Sequence, residues 1–237
     1  MGNELPIILL SAGSIAFLHT LLGPDHYLPF IMMSRSRNWS LSKTSLVTFI
    51  CGSGHVLSSV LLGVTGVGFG LALTQIAALQ SLRGNIAAWI MIAFGLVYSI
   101  WGLKVAVRNK SHKHLHSHGH GNRHVHSHTH YKQHVHSHSE NKQENVTPWI
   151  LFTIFILGPC EPLIPLLMYP AAKQSFGTLI SVTAVFATVT ILTMMSIVLA
   201  SAYGIRIIPF ARLSRYTHAM AGTTILLCGA AIQFLGY

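Results

Sequence analysis

His19, Asp25 and His26 interrupt an apolar run, and the chemistry open to them is cation binding. Ionisable groups at membrane depth are costly and are kept for ion or substrate handling. The 237 residues include only five acidic ones: Glu4, Asp25, Glu140, Glu144 and Glu161. Of these, Asp25 and Glu161 fall in hydrophobic stretches, at matching places. Leu22-Gly23-Pro24-Asp25-His26 echoes Leu157-Gly158-Pro159-Cys160-Glu161 at an offset of 135 residues. Proline lacks an N–H and clashes with the carbonyl four residues back. Pro24 is thus expected to free the carbonyl of Thr20, and Pro159 that of Phe155. Freed backbone inside a bilayer must be satisfied by protein, water or an ion. Each break therefore offers carbonyl oxygens beside a titratable side chain.

The next apolar run adds His55, flanked by Gly52 and Gly54, which let helices approach closely. The expected ligand set is His19, Asp25, His26, His55, Cys160 and Glu161. Imidazoles suit nickel, cobalt, copper and zinc, and two carboxylates would offset the charge of one divalent cation. Calcium or magnesium would want more oxygen ligands, and a closed zinc site would want Cys and His at short spacings. His55 also fits a hydrogen-bonding helix contact, and Cys160 also fits a small packing residue. Ser58 and Ser59 share the His55 face, and Thr190 stands at the 135-residue offset from His55. His218, at the start of the last run, reads as interfacial.

Twelve of the sixteen histidines lie in one polar stretch: His112, His114, His116, His118, His120, His124, His126, His128, His130, His134, His136 and His138. They follow a ten-residue repeat starting at His114, His124 and His134. Alternation of this kind cannot make an amphipathic helix. In an extended chain it lines imidazoles along one side, a compositional signal for transition-metal binding. With almost nothing to bury, the stretch is expected to be disordered without metal. Zinc or copper would bind there readily, although a plain solvated linker has the same polarity.

These residues must be held by membrane helices. The chain is 51% hydrophobic and 8% charged, with mean hydropathy +0.54. Soluble domains carry about 25% charged residues. The net charge of +10 does not indicate nucleic acid. Thirteen of the fifteen Lys and Arg fall after the first, third and fifth apolar runs, and only Arg83 and Lys173 lie on the other side. The positive-inside bias then puts both termini outside and the His-rich stretch in the cytoplasm of a multi-pass plasma-membrane protein. Residues 1–6 lack the basic region of a cleavable signal. Three scattered cysteines (Cys51, Cys160 and Cys228) make no disulfide framework.

About 20 apolar residues span a bilayer as a helix. Six spans are expected, near 5–33, 44–73, 85–105, 148–170, 177–203 and 217–236. The fold class is all-α integral membrane: two inverted three-helix repeats, 1–107 and 148–237, with the first and fourth helices broken at Gly-Pro. The disordered His-rich loop 108–147 joins them. Inverted repeats with interrupted helices are a recurrent transporter design.

At His19…Asp25-His26, Gly54-His55, Gly158-Pro159-Cys160 and the His-rich loop, the chain resembles the nickel/cobalt transporter (NicO) and UreH-like membrane families of the LysE-type transporter group. Five residues separate His19 from Asp25, where the nickel permease signature has four, which favours the UreH-like side. The resemblance implies a carrier of Ni²⁺ or Co²⁺; the residues themselves suggest alternating access around the two broken helices, with Asp25, His26 and Glu161 binding the ion in exchange for protons and His19 and His55 completing the shell. No prosthetic group and no enzymatic activity are expected. The expected partners are the bilayer, a divalent metal ion, a metallochaperone or a second copy of the chain. Two alternatives stand beside this. The Gly-Pro-Cys-x-Pro segment at 158–162 resembles the CcdA/DsbD membrane reductant conduits, which implies thiol–disulfide exchange at Cys160 with Cys51 or Cys228. Asp25 stands where those conduits carry a second break cysteine. The other alternative is a metal-binding accessory protein for urease-type metalloenzyme maturation.

Overall fold

The computed structural model describes residues 4–108, 112–117, 123–128, 147–158, 160, 162–172, 175–207 and 214–235. Its helices are α1 (Glu4–Leu22), α2 (Leu28–Ser36), α3 (Leu41–Gly68), α4 (Leu73–Arg108), α5 (Thr147–Leu157), α6 (Leu163–Ala172), α7 (Phe176–Ile207) and α8 (Thr217–Leu235). A 3-10 turn, Pro24–His26, links α1 to α2. Five helices (α1, α3, α4, α7 and α8) are long and apolar enough to cross a membrane. The expected fourth span, 148–170 with its break at Gly158-Pro159, takes the form of two helices, α5 and α6, each too short to cross alone. Within the His-rich stretch, β1 (His112–Ser117) pairs antiparallel with β2 (Arg123–His128), His114 facing His126. His118, His120, His130, His134, His136 and His138 lie outside the described residues, as does Glu161.

The packing inverts that of a soluble bundle. On α1 the buried positions are Ala12, Ala16 and Thr20, one turn apart. Ile7, Leu10, Phe17, Leu18 and Leu22 point outward. Lipid is as apolar as leucine, so helices gain by close backbone approach rather than by hiding large side chains. The tightest seam is between α4 and α8. A Cβ on Gly95 would lie 2.4 Å from the Leu226 nitrogen, and one on Gly222 2.3 Å from the Ser99 nitrogen. Ser99 and Thr223 hydroxyls bond across this seam at 3.0 Å. His218, at the end of the seam where α8 begins, meets the Tyr98 hydroxyl at 2.9 Å.

Helix α4 begins twelve residues before the expected span. Its 36 residues, at about 1.5 Å each, reach about 54 Å, well beyond a hydrocarbon core of about 30 Å. The extension carries Gln80 and Arg83 into the helix. Two buried apolar clusters result. One includes Cys51, Phe30, Phe155, Met194 and Cys228. The other includes Ala16, Val56, Cys160, Leu163 and Phe186.

Candidate functional site

Both breaks form where the prolines require them. Helix α1 ends at Leu22 and α5 at Leu157, while α2 starts at Leu28 and α6 at Leu163. The last α-helical bonds also correspond: the Gly23 amide donates to His19 O at 3.0 Å and the Gly158 amide to Ile154 O at 2.8 Å.

Helix α3 brings His55 between the breaks. Glycine makes this possible, since a Cβ on Gly54 would lie 3.0 Å from the Phe152 ring and 3.1 Å from Ile156. His55 is buried, and its Nδ1 donates to the carbonyl of Phe155 at 3.1 Å. That carbonyl is the one Pro159 frees by sequence. The second break is thus satisfied by a side chain from a neighbouring helix.

The first break carries the other two imidazoles. His26 is buried, and its Nδ1 donates to Gly23 O at 3.2 Å and to Asp25 Oδ1 at 3.3 Å. The ring centroids of His19 and His26 are 4.8 Å apart, and those of His26 and His55 5.2 Å apart. One ligand nitrogen from each of the three rings lies within 4.8 Å of the others. The Nε2 atoms of all three are buried and have no hydrogen-bond partner among the described residues.

Three of the six expected ligands therefore converge: His19, His26 and His55. Asp25 touches the group through His26 Nδ1. Cys160 is fully buried in the second break among Ala16, Val56 and Leu163. Of Ser58 and Ser59, Ser58 donates to His55 O at 2.9 Å and accepts from Arg83 Nη2 at 2.8 Å. Ser59 and Thr190 are buried with free hydroxyl oxygens among the described residues.

Arg83 is the residue the sequence reading passed over. Its guanidinium also donates to Gln80 Oε1 at 3.0 Å and to the carbonyl of Ile156, two residues before the break glycine. Its signal was the rarity of an arginine beside an apolar run, away from the other clusters of basic residues.

The family described as "Cytochrome C biogenesis protein transmembrane region" matches residues 28–231. The chain belongs to that family. Searches of curated proteins and of solved structures gave no match. Membership corrects the NicO and UreH-like assignment. That assignment leaned on short signatures and on histidine composition, whereas the match runs through most of the helical chain. It supports the CcdA/DsbD-like thiol–disulfide conduit better than a nickel or cobalt carrier. The matched stretch contains His55 and all three cysteines, and it starts after His19, Asp25 and His26.

Proposed function

We infer that this member of the cytochrome c biogenesis transmembrane family passes reducing equivalents across a bilayer by thiol–disulfide exchange. The family match over residues 28–231 carries the reading. Cys160, at the α5–α6 break, is the thiol assigned to exchange with partners. A break suits this task, because an interrupted helix can rearrange without losing a continuous hydrogen-bond ladder.

Exchange needs a second thiol, and the matching place in the first break holds Asp25. Cys51 is the better resolving candidate. It lies one turn before His55 on α3, and α3 packs on both α5 and α6. Cys228 sits on α8, which packs chiefly on α4 and α2. In the cycle, a donor dithiol reduces a Cys160–Cys51 disulfide, and the donor becomes the disulfide. The two thiols then reduce a disulfide on the far side, so two electrons and two protons are handed on.

The architecture that suits alternating exposure is a pair of inverted halves, 1–107 and 148–237. The equal offset of the helix ends supports it. The distribution of basic residues supports outer termini and a cytoplasmic His-rich segment in the plasma membrane.

The test is disulfide trapping in membranes given a reduced dithiol protein on one face and a disulfide reporter on the other. Cys160→Ser should abolish reporter reduction. Cys51→Ser should trap a mixed disulfide through Cys160, and Cys228→Ser should behave as the parent. Full reporter reduction by Cys160→Ser overturns the reading.

A further inference from the structure

Two buried imidazoles and one half-buried one, from two helices and a turn, each with a buried, idle ring nitrogen, are not accounted for by thiol exchange. We propose that His19, His26 and His55 form a binding site for one borderline first-row transition-metal ion, of the Zn²⁺ or Cu²⁺ class, held through their Nε2 atoms.

Hydrogen bonding argues first. A buried polar atom without a partner is destabilising, and here three such atoms belong to rings whose neighbouring centroids are 4.8 and 5.2 Å apart. Two of the rings are prevented from flipping. His55 Nδ1 faces the Phe155 carbonyl, and His26 Nδ1 faces the Gly23 carbonyl and the Asp25 carboxylate. These acceptors cannot donate, so Nδ1 carries the proton and Nε2 presents a lone pair in the neutral ring. Metal-binding histidines almost always donate their other ring N–H to a carboxylate or a backbone carbonyl. His26 has both and His55 has one.

Distance and donor type argue next. Zinc–nitrogen bonds are about 2.0–2.1 Å, so nitrogens bound to one ion stand closer than the 4.8 Å span seen here. Closure of roughly an ångström is required, within reach of side-chain rotation. Three imidazoles with a nearby carboxylate favour copper and zinc over magnesium or calcium, which want six or more oxygens. Three nitrogens leave a fourth position open.

The site also touches the second break. The same His55 ring that offers Nε2 to the ion holds the Phe155 carbonyl, five residues before Cys160. Metal occupancy would fix that ring and, through it, the end of α5.

The test is zinc binding by the full-length protein in detergent, with the twelve loop histidines His112 to His138 replaced by serine so that the loop binds nothing. After incubation with Zn²⁺ and removal of free ion, elemental analysis should find about one zinc per chain. X-ray absorption should show a shell of three imidazole nitrogens. His26→Gln and His55→Gln should each abolish stoichiometric binding, and Asp25→Asn should weaken it roughly 10- to 100-fold, as expected for loss of an orienting partner. His19→Gln, at the least buried of the three, decides the matter if the other variants fail to elute as monodisperse protein. No zinc above background in the loop-substituted chain overturns the proposal, as does stoichiometric zinc that survives all three glutamine substitutions. The readout is independent of thiol exchange, so it stands or falls apart from the conduit reading.

Discussion

The two breaks have the same Gly-Pro interruption and the same helix ends, yet they are finished with different chemistry. The first is polar: a 3-10 turn places Asp25 and His26 side by side, and its hydrogen bonds are local. In the second, the described residues around the buried Cys160 thiol are apolar, and the carbonyls of Phe155 and Ile156 are satisfied from outside, by His55 of α3 and Arg83 of α4. One backbone solution to interrupting a membrane helix can thus support two functions. The local break is self-contained. The borrowed break is tied to whatever moves α3 and α4.

The sharpest test of the borrowed cap is His55→Leu. It keeps apolar volume but leaves the Phe155 carbonyl unpaired, at a cost of about 1–3 kcal/mol. Pro159→Ala should relieve the loss, because alanine supplies the N–H that proline lacks. Thermal unfolding of the two single variants and the double variant closes the cycle. A non-additive recovery is expected, in the range seen for contacting residues, roughly 0.5–3 kcal/mol. Strict additivity would mean that His55 is not the cap Pro159 makes necessary.

A matched pair of glycine substitutions compares the breaks directly. A Cβ on Gly23 would lie 2.6 Å from His26 Nδ1 and 3.0 Å from both Asp25 Oδ1 and the His19 carbonyl. One on Gly158 would come no closer than 3.3 Å to His55 Nδ1. Gly23→Ala should destabilise by about 1–3 kcal/mol, as overpacking does, and Gly158→Ala by roughly 1 kcal/mol or less. The melting temperatures of the two variants check this. Equal shifts would show that the first break is not the more tightly constructed.

The legible part of this molecule was the part with a large energetic penalty behind it. Proline within an apolar run fixed the helix ends at Leu22 and Leu157, and an acid beside a histidine marked the first break. Gly52 and Gly54 announced the close approach that delivers His55. The interruption of 148–170 at Gly158-Pro159 was legible as well, whereas the way α5 and α6 sit relative to each other depends on tertiary contacts. The early start of α4 was missed. Arg83 breaks the apolar pattern there, yet beyond Gln80 one turn away its partners are Ser58 and the Ile156 carbonyl, which no local rule reveals. The family was misread for a related reason. Histidine spacing and a His-rich tract are strong signals for metal chemistry, but they cover little of the chain and say nothing of its overall helical pattern.

Arg83 gives the smallest expected effect and the finest distinction between the breaks. Its planar fork reaches Gln80, Ser58 and the Ile156 carbonyl at once. Lysine keeps the charge but has no fork, so Arg83→Lys should retain one of these contacts and lose the others. A cost of about 1 kcal/mol is expected, since each hydrogen bond contributes about that much net. The informative readout is local. Alkylation of Cys160 in detergent should quicken in Arg83→Lys, because the end of α5 is then held by His55 alone. Alkylation of Cys228, on α8 and away from the α5–α6 break, should not change. If both thiols quicken together, the substitution has loosened the whole bundle, and the second break does not depend on α4 in the way its hydrogen bonds indicate.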